Sequence, residues 1–307
     1  MPRPLSVNML MLFALAVVSG CSGGAGPADS PPDRSRTYSG VEYARPDGLS
    51  LQLDVALPPG PGPFPAVIMI HGGGWESGSR AEFHYPGLSF YVRPGVACVP
   101  IDYRLSDQAP YPAAVDDCLA AVRWVRAHAA QYKLDPDRLA VLGGSAGGYL
   151  ALMVATEPTT ATDRDSHGRQ LSCLVTAAAS LAGPTDLLAI TQFRPGAPHQ
   201  RGPNALRRML GKFLGGSPEQ LPDLYAQASP INRVTAAAPP TMLVYGLLDQ
   251  LVPPEQALSM QAELQAAGVP VAMLPRPDQG HGAADIYTRT ELVEWLTERL
   301  KAPAAGP

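Results

Sequence analysis

The chain has 307 residues, 46% of them hydrophobic and 16% charged, with a formal net charge of −4. This is enough apolar sequence for one large globular domain with its own core, and the absence of a basic excess argues against nucleic acid as a partner. The 34 prolines are scattered through turns and termini rather than gathered in one tract, and no internal repeat is present, so neither a disordered chain nor a solenoid fits.

In chain order, the first feature is Arg3 followed by the apolar run MLMLFALAVV at residues 9–18. The run is far shorter than the roughly 20 residues that span a bilayer, and residues 1–20 read as a signal peptide. They end in Val18-Ser19-Gly20-Cys21, which resembles a bacterial lipobox, where the cysteine receives a diacylglyceryl group before cleavage. Several acyl chains on Cys21 would hold a protein firmly to a membrane, whereas one chain binds only marginally. Residues 21–37, rich in Gly, Pro, Ser and Asp, cannot bury enough apolar surface to fold and read as a flexible tether. The expectation is a lipoprotein of the bacterial cell envelope, with Ser22 after the cysteine pointing to an outer membrane or cell surface.

Residues 38–303 read as the folded domain. Leu49, Leu51, Leu53, Val55 and Leu57 alternate with more polar residues after an Asp47-Gly48 turn, which predicts an antiparallel hairpin over 41–57. The runs at 66–70 and 96–101 are continuously apolar, as strands covered on both faces are. Pro112 opens a helix with Val115, Leu119, Val122 and Val125 on one face. Strands are predicted at 138–142, 174–181, 241–245 and 271–274, and helices at 148–156, 254–267 and 284–301. This order implies an α/β fold: a mostly parallel twisted sheet, an antiparallel N-terminal hairpin, and helices on both faces. Residues 186–225 lack a strand and carry Pro195, Pro198, Pro203 and Pro222, so they read as a cap or lid insertion. Cys98, Cys118 and Cys173 fall in patterns read as strand, helix and strand. Their odd number and wide spacing argue against a disulfide framework or zinc site. They read as buried thiols, with a Cys118–Cys173 pair left open.

The chemistry gathers at three loops. Gly143-Gly144-Ser145-Ala146-Gly147 fits G-x-S-x-G between a predicted strand and a predicted helix, the context in which a serine stands on a strained turn. A helix-capping serine would not need small residues on both sides. His71-Gly72-Gly73-Gly74-Trp75 follows a strand directly, and its glycines let main-chain amides face a cavity. Gly73, Gly74 and Ala146 are therefore candidate oxyanion donors. Trp75 is a candidate pocket residue, although it could equally pack the loop. Of the six histidines, His71 reads as shaping the glycine loop and His84, His128, His167 and His199 as surface residues. His281, in Gln279-Gly280-His281-Gly282 after a strand, is the candidate base. Asp249, in a loop after another strand, is the candidate acid that orients it, ahead of Asp278 and Asp285. Asp102 and Arg104 are expected to form an ion pair that holds a loop, and Asp116 and Asp117 to be solvated or capping groups.

The segments HGGGW, DYRL, YPAAVDDCLAAVRWV, GGSAGG, SPI, LLDQLVP and GHG together resemble the α/β-hydrolase fold. Within it the chain is similar to the hormone-sensitive-lipase-like carboxylesterases, especially the bacterial acetyl-xylan and feruloyl esterase-like group, over roughly residues 38–301. The resemblance implies hydrolysis of short-chain acyl esters through Ser145, His281 and Asp249, without metal or organic cofactor, on a small-molecule or carbohydrate ester. Tyr245-Gly246 departs from the His-Gly common in such proteins, and the cap does not align with theirs. Amide or formamide hydrolysis, a serine peptidase, a true lipase and a non-catalytic lipid-anchored binding protein are the other readings of the same features.

Overall fold

The computed structural model describes residues 35–83, 95–157, 171–192, 203–282 and 290–301. The signal-peptide reading, Cys21 and most of the tether lie outside these residues, as do His84, His167, His199 and Asp285. Among the described residues, no helix is long and apolar enough to cross a membrane.

Eight strands form one sheet: β1 (Arg36–Ala44), β2 (Leu51–Leu57), β3 (Phe64–Ile70), β4 (Ala97–Ile101), β5 (Leu134–Gly144), β6 (Ala177–Leu181), β7 (Thr241–Gly246) and β8 (Val271–Arg276). Their spatial order is β1-β2-β4-β3-β5-β6-β7-β8. β1 pairs antiparallel with β2, and β2 with β4. All later pairings are parallel. The predicted hairpin and the switch to a parallel sheet are both present. β1 begins inside the stretch read as tether, because Arg36 pairs with Leu57.

The helices are α1 (Ala113–Ala127), α2 (Ala146–Ala155), α3 (Leu187–Ile190), α4 (Pro203–Leu214), α5 (Pro222–Gln227), α6 (Pro254–Ala266) and α7 (Thr290–Lys301). The predicted face of α1 is buried as read. The final helix is described from Thr290, and the start expected at 284 lies outside the described residues. Among the described residues of 186–225 there is no strand, as expected, and three helices begin there. Asp186 starts α3, its carboxylate accepting from the amides of Leu188 and Ala189.

β3 shows why a continuous apolar run reads as a central strand. Ala66, Ile68 and Ile70 face one core, which contains α1 and α2. Val67 and Met69 face the other, filled by Leu292, Leu296 and Leu300 of α7. Both faces must exclude water, so no position in the strand can be polar. Cys98, Cys118 and Cys173 are all buried free thiols, so no Cys118–Cys173 disulfide forms. Cys173 precedes β6 rather than lying in a strand, and Arg123 Nη1 donates to its Sγ at 3.1 Å.

Two charge assignments need correction. Asp102 and Arg104 do not pair with each other, since their side chains leave the chain toward different elements. Asp102 binds Arg80 through the amide at 2.9 Å and through the guanidinium, and Arg80 Nε also donates to buried Asp54 at 3.1 Å. Arg104 instead grips Asp117 of α1, with Nη2 2.8 Å from Oδ1 and its own amide 2.9 Å from Oδ2. Asp117 is therefore a buried ion-pair partner, whereas Asp116 beside it is exposed as expected. Removing one member of such a pair strands the other charge in a poorly solvated place. Asp117→Ala should lower stability by about 3 kcal/mol, read as a drop in the urea midpoint at constant slope. Asp117→Asn, which keeps the shape, should lose less, and an unchanged midpoint in both variants would show that the pair does not hold α1 to the loop.

Candidate active site

Ser145 lies between β5 and α2 with φ 54° and ψ −121°. A side chain in the left-handed region costs about 1–3 kcal/mol and persists only where surrounding structure over-determines it. Here the Ser145 amide donates to the Leu181 carbonyl at the end of β6, at 2.7 Å. The flanking glycines are required by contact. A methyl on Gly147 would lie 2.1 Å from the Ile70 carbonyl oxygen, and one on Gly143 would lie 2.1 Å from that of Gly147. The turn thus presses α2 against the end of β3, and only glycine lets it do so.

β3 runs directly into the glycine loop. His71 is 1% exposed, its ring stacks on Tyr103 with centroids 4.2 Å apart, and Nδ1 lies 2.9 Å from the Gly72 carbonyl. The Tyr103 hydroxyl bridges the carbonyls of His71 and Gly72, at 3.0 Å each. His71 shapes the loop, as read from the sequence. Gly73 and Gly74 have φ of 95° and 62°, and a methyl on Gly73 would lie 2.1 Å from the Ser77 carbonyl oxygen. Trp75 is almost wholly buried, its ring stacked on Phe213 of α4 at 4.5 Å and edge-on to Tyr149 at 5.3 Å. Its carbonyl accepts from the Ser106 amide at 2.7 Å. Trp75 therefore forms part of the cavity wall chiefly by packing the loop against α4.

The acid and histidine loops are stitched together. The Leu247 and Leu248 amides donate to the carbonyls of Arg276 and Gln279, at 2.9 and 3.0 Å. A methyl on Gly246 would lie 2.3 Å from the Gln279 carbonyl oxygen. This contact brings His281 over Ser145. His281 Nε2 is 2.8 Å from Ser145 Oγ, and Nδ1 is 2.7 Å from Asp249 Oδ2. Asp249 is 2% exposed, and its Oδ1 accepts from the amides of Leu251 and Val252 at 2.8 and 2.9 Å. A carboxylate only accepts hydrogen bonds, so Nδ1 carries the proton and Nε2 accepts from the serine hydroxyl. Asp278, the described competitor, is exposed. The other described histidine, His128, is half-buried on Trp124 rather than free on the surface.

Ser145, His281, Gly73, Gly74, Ala146 and Trp75 line one cavity of about 650 Å³. Leu206, Arg208 and Met209 from α4 complete it, together with Leu251 and Val252 of the loop that carries Asp249. Reading the sequence did not find these lining residues. The spacing of Leu206, Leu210 and Phe213 is the helical signal that marks α4, but not where the helix lies. Among the described residues, no cluster of His, Cys, Asp and Glu could hold a metal.

The match to known proteins decides the family. Residues 53–264 match BD-FAE. The chain belongs to the BD-FAE family. This BD-FAE chain is 31% identical over 276 residues to the probable carboxylic ester hydrolase LipM of Mycobacterium tuberculosis, covering 86% of its own length and 61% of the relative's. It is 31% identical to the esterase LipC of the same organism, covering 72% of itself and 53% of LipC. It thus spans little more than half the length of these relatives. Among solved structures, it superposes with TM-score 0.72 on a truncated carbohydrate esterase from gut microbiota, at 26% identity over 91% of this chain and all of that one. The butyrate-bound esterase Est2 of Thermogutta terrifontis matches with TM-score 0.65 at 25% identity, over 88% and 94% of the two chains. The BD-FAE chain has the α/β-hydrolase fold.

His71 supplies a pH test of the site's foundation. Burial pushes its pKa below the ordinary imidazole value, against the carbonyl of Gly72 and the charges of Glu82 and Asp102, which favour the proton. The unfolded chain therefore binds a proton at His71 more readily than the folded one. Its contribution to stability is full above the ordinary imidazole pKa and is lost as pH falls from there toward the folded value. The difference in unfolding free energy between the native chain and His71→Gln should shrink from about pH 7.5 to about pH 5.5. A difference that stays constant would show that the buried imidazole is not depressed.

Proposed function

We propose that this protein is a serine carboxylesterase of short-chain acyl esters, acting on a small-molecule or carbohydrate ester such as an acetylated or feruloylated sugar. The observation that carries the reading is the continuous relay from Ser145 Oγ through His281 to a buried, fully hydrogen-bonded Asp249. The esterase names of LipM and LipC and of the superposed structures support it.

Ser145 Oγ attacks the ester carbonyl carbon while its proton passes to His281 Nε2. Asp249 keeps the imidazole in the required tautomer and stabilises the imidazolium. The amides of Gly73, Gly74 and Ala146 receive the negative oxygen of the tetrahedral intermediate, each such donor typically contributing about 10²–10³ in rate. As the carbonyl re-forms, the ester C–O bond breaks and the alcohol leaves with the proton from His281. Water then attacks the acyl-enzyme, giving its proton to His281. The second intermediate collapses, the acid leaves, and the proton returns to Ser145.

Hydrolysis of p-nitrophenyl esters from acetyl to dodecanoyl should decline with chain length. Ser145→Ala should lower kcat by at least about 10⁴. Activity surviving that substitution would remove Ser145 from its role, and a preference for long chains would favour a lipase.

We propose separately that the protein belongs to the bacterial cell envelope, attached to a membrane by acyl groups on Cys21. The support is the N-terminal sequence, Arg3, the short apolar run and Val18-Ser19-Gly20-Cys21. In a bacterial host, metabolic labelling with a palmitate analogue should mark the full chain, and Cys21→Ser should abolish the label and release the protein from the membrane fraction. A labelled Cys21→Ser chain would overturn the anchor.

A further inference from the structure

The cavity before Ser145 has an apolar wall and, among the described residues, an unbalanced charge at its edge. Helix α4, which provides that edge, carries three cations, Arg207, Arg208 and Lys212, and no acid. Arg207 is held by Glu219, and Lys212 Nζ lies 3.8 Å from Glu76 Oε1. Glu76 is the one carboxylate among the described residues lining the cavity, and it already faces Lys212. Arg208 is exposed and lines the same cavity, and among the described residues its guanidinium has no hydrogen-bond or ion-pair partner.

An unpaired arginine on an open surface is satisfied by water. Arg208 differs because Leu206 and Met209, its neighbours on α4, also line the cavity, so that one side of it faces the space in front of Ser145. A guanidinium presents a planar fork of donors that matches a carboxylate, and the match strengthens as water is excluded. We propose that Arg208 is a specificity-determining residue that selects ester substrates bearing a carboxylate away from the scissile bond. This rests on the esterase reading above. The carboxylate could belong to the alcohol, as in a uronic acid, or to the acyl group, as in a half-ester of a dicarboxylic acid.

Two substrate pairs separate these sources. One compares an acetylated methyl glucuronoside with the corresponding acetylated methyl glucoside. The other compares mono-p-nitrophenyl glutarate with p-nitrophenyl valerate. The readout is the ratio of kcat/KM for the anionic over the neutral member, which cancels any difference in folded fraction because both are measured on one preparation. The native chain should favour the anionic member of at least one pair. Arg208→Gln should lower that ratio about tenfold, Arg208→Glu should lower it further, and Arg208→Lys should retain part of it. Added salt should weaken turnover of the anionic ester selectively. Ser145-dependent hydrolysis of neutral esters with the same ratio in the native chain and Arg208→Gln, in both pairs, would overturn the role of Arg208 and leave the esterase intact. No turnover of any of the four esters would overturn both.

Discussion

Everything at the site depends on one close approach, that of the turn after β5 to the end of β3. Ser145 is held in a conformation that L-residues avoid, and Gly147 sits where a single methyl would strike the Ile70 carbonyl. The cost of the turn is met by the parallel pairing of β3, β5 and β6 beneath it, together with the bond from the Ser145 amide to Leu181. Because the glycine loop continues from β3, the same contact places Gly73 and Gly74 beside the serine. Ser145 and the candidate oxyanion donors are thus set by one piece of backbone packing, and side-chain chemistry enters afterwards.

A second contact of the same kind sets His281. Gly246 passes under the Gln279 carbonyl, and the Leu247 and Leu248 amides bind the histidine loop across from it. The acid loop therefore positions His281 through the main chain as well as through Asp249. The carboxylate is itself fixed by two amides, so it has little freedom to follow a displaced imidazole. Pre-organisation of this sort is what lets a hydrogen-bonded relay act without reorganising during the reaction.

The charges farther from the serine hold the frame. Arg80 bonds Asp54 of β2 and Asp102 at the end of β4, joining the hairpin to the parallel sheet. Arg104 ties the next loop to α1 through Asp117. Partly buried pairs need several hydrogen bonds to offset desolvation, and both arginines make them. Against this background of paired charge, Arg208 stands out at the edge of the cavity by lacking a partner among the described residues.

The glycine-flanked serine, the HGGG loop and the alternation of strand and helix were legible residue by residue, because each is a local rule. A strained turn needs glycine, a doubly covered strand needs a continuous apolar run, and a helix shows its period. His281 and Asp249 could be chosen from their places after successive strands, since a parallel sheet brings all such loops to one edge. The partners of Asp102, Arg104 and Asp117 were not legible. An ion pair depends on which elements meet in space, and neighbours in sequence such as Asp102 and Arg104 can point to different ones. The segment 186–225 was opaque for the same reason. Its helical period marks α4, but the docking of Phe213 on Trp75 and the exposure of Arg208 at the cavity arise from contacts more than a hundred residues apart along the chain. Local backbone rules can be read in the order of the residues; pairing across the fold exists only once the chain has closed on itself.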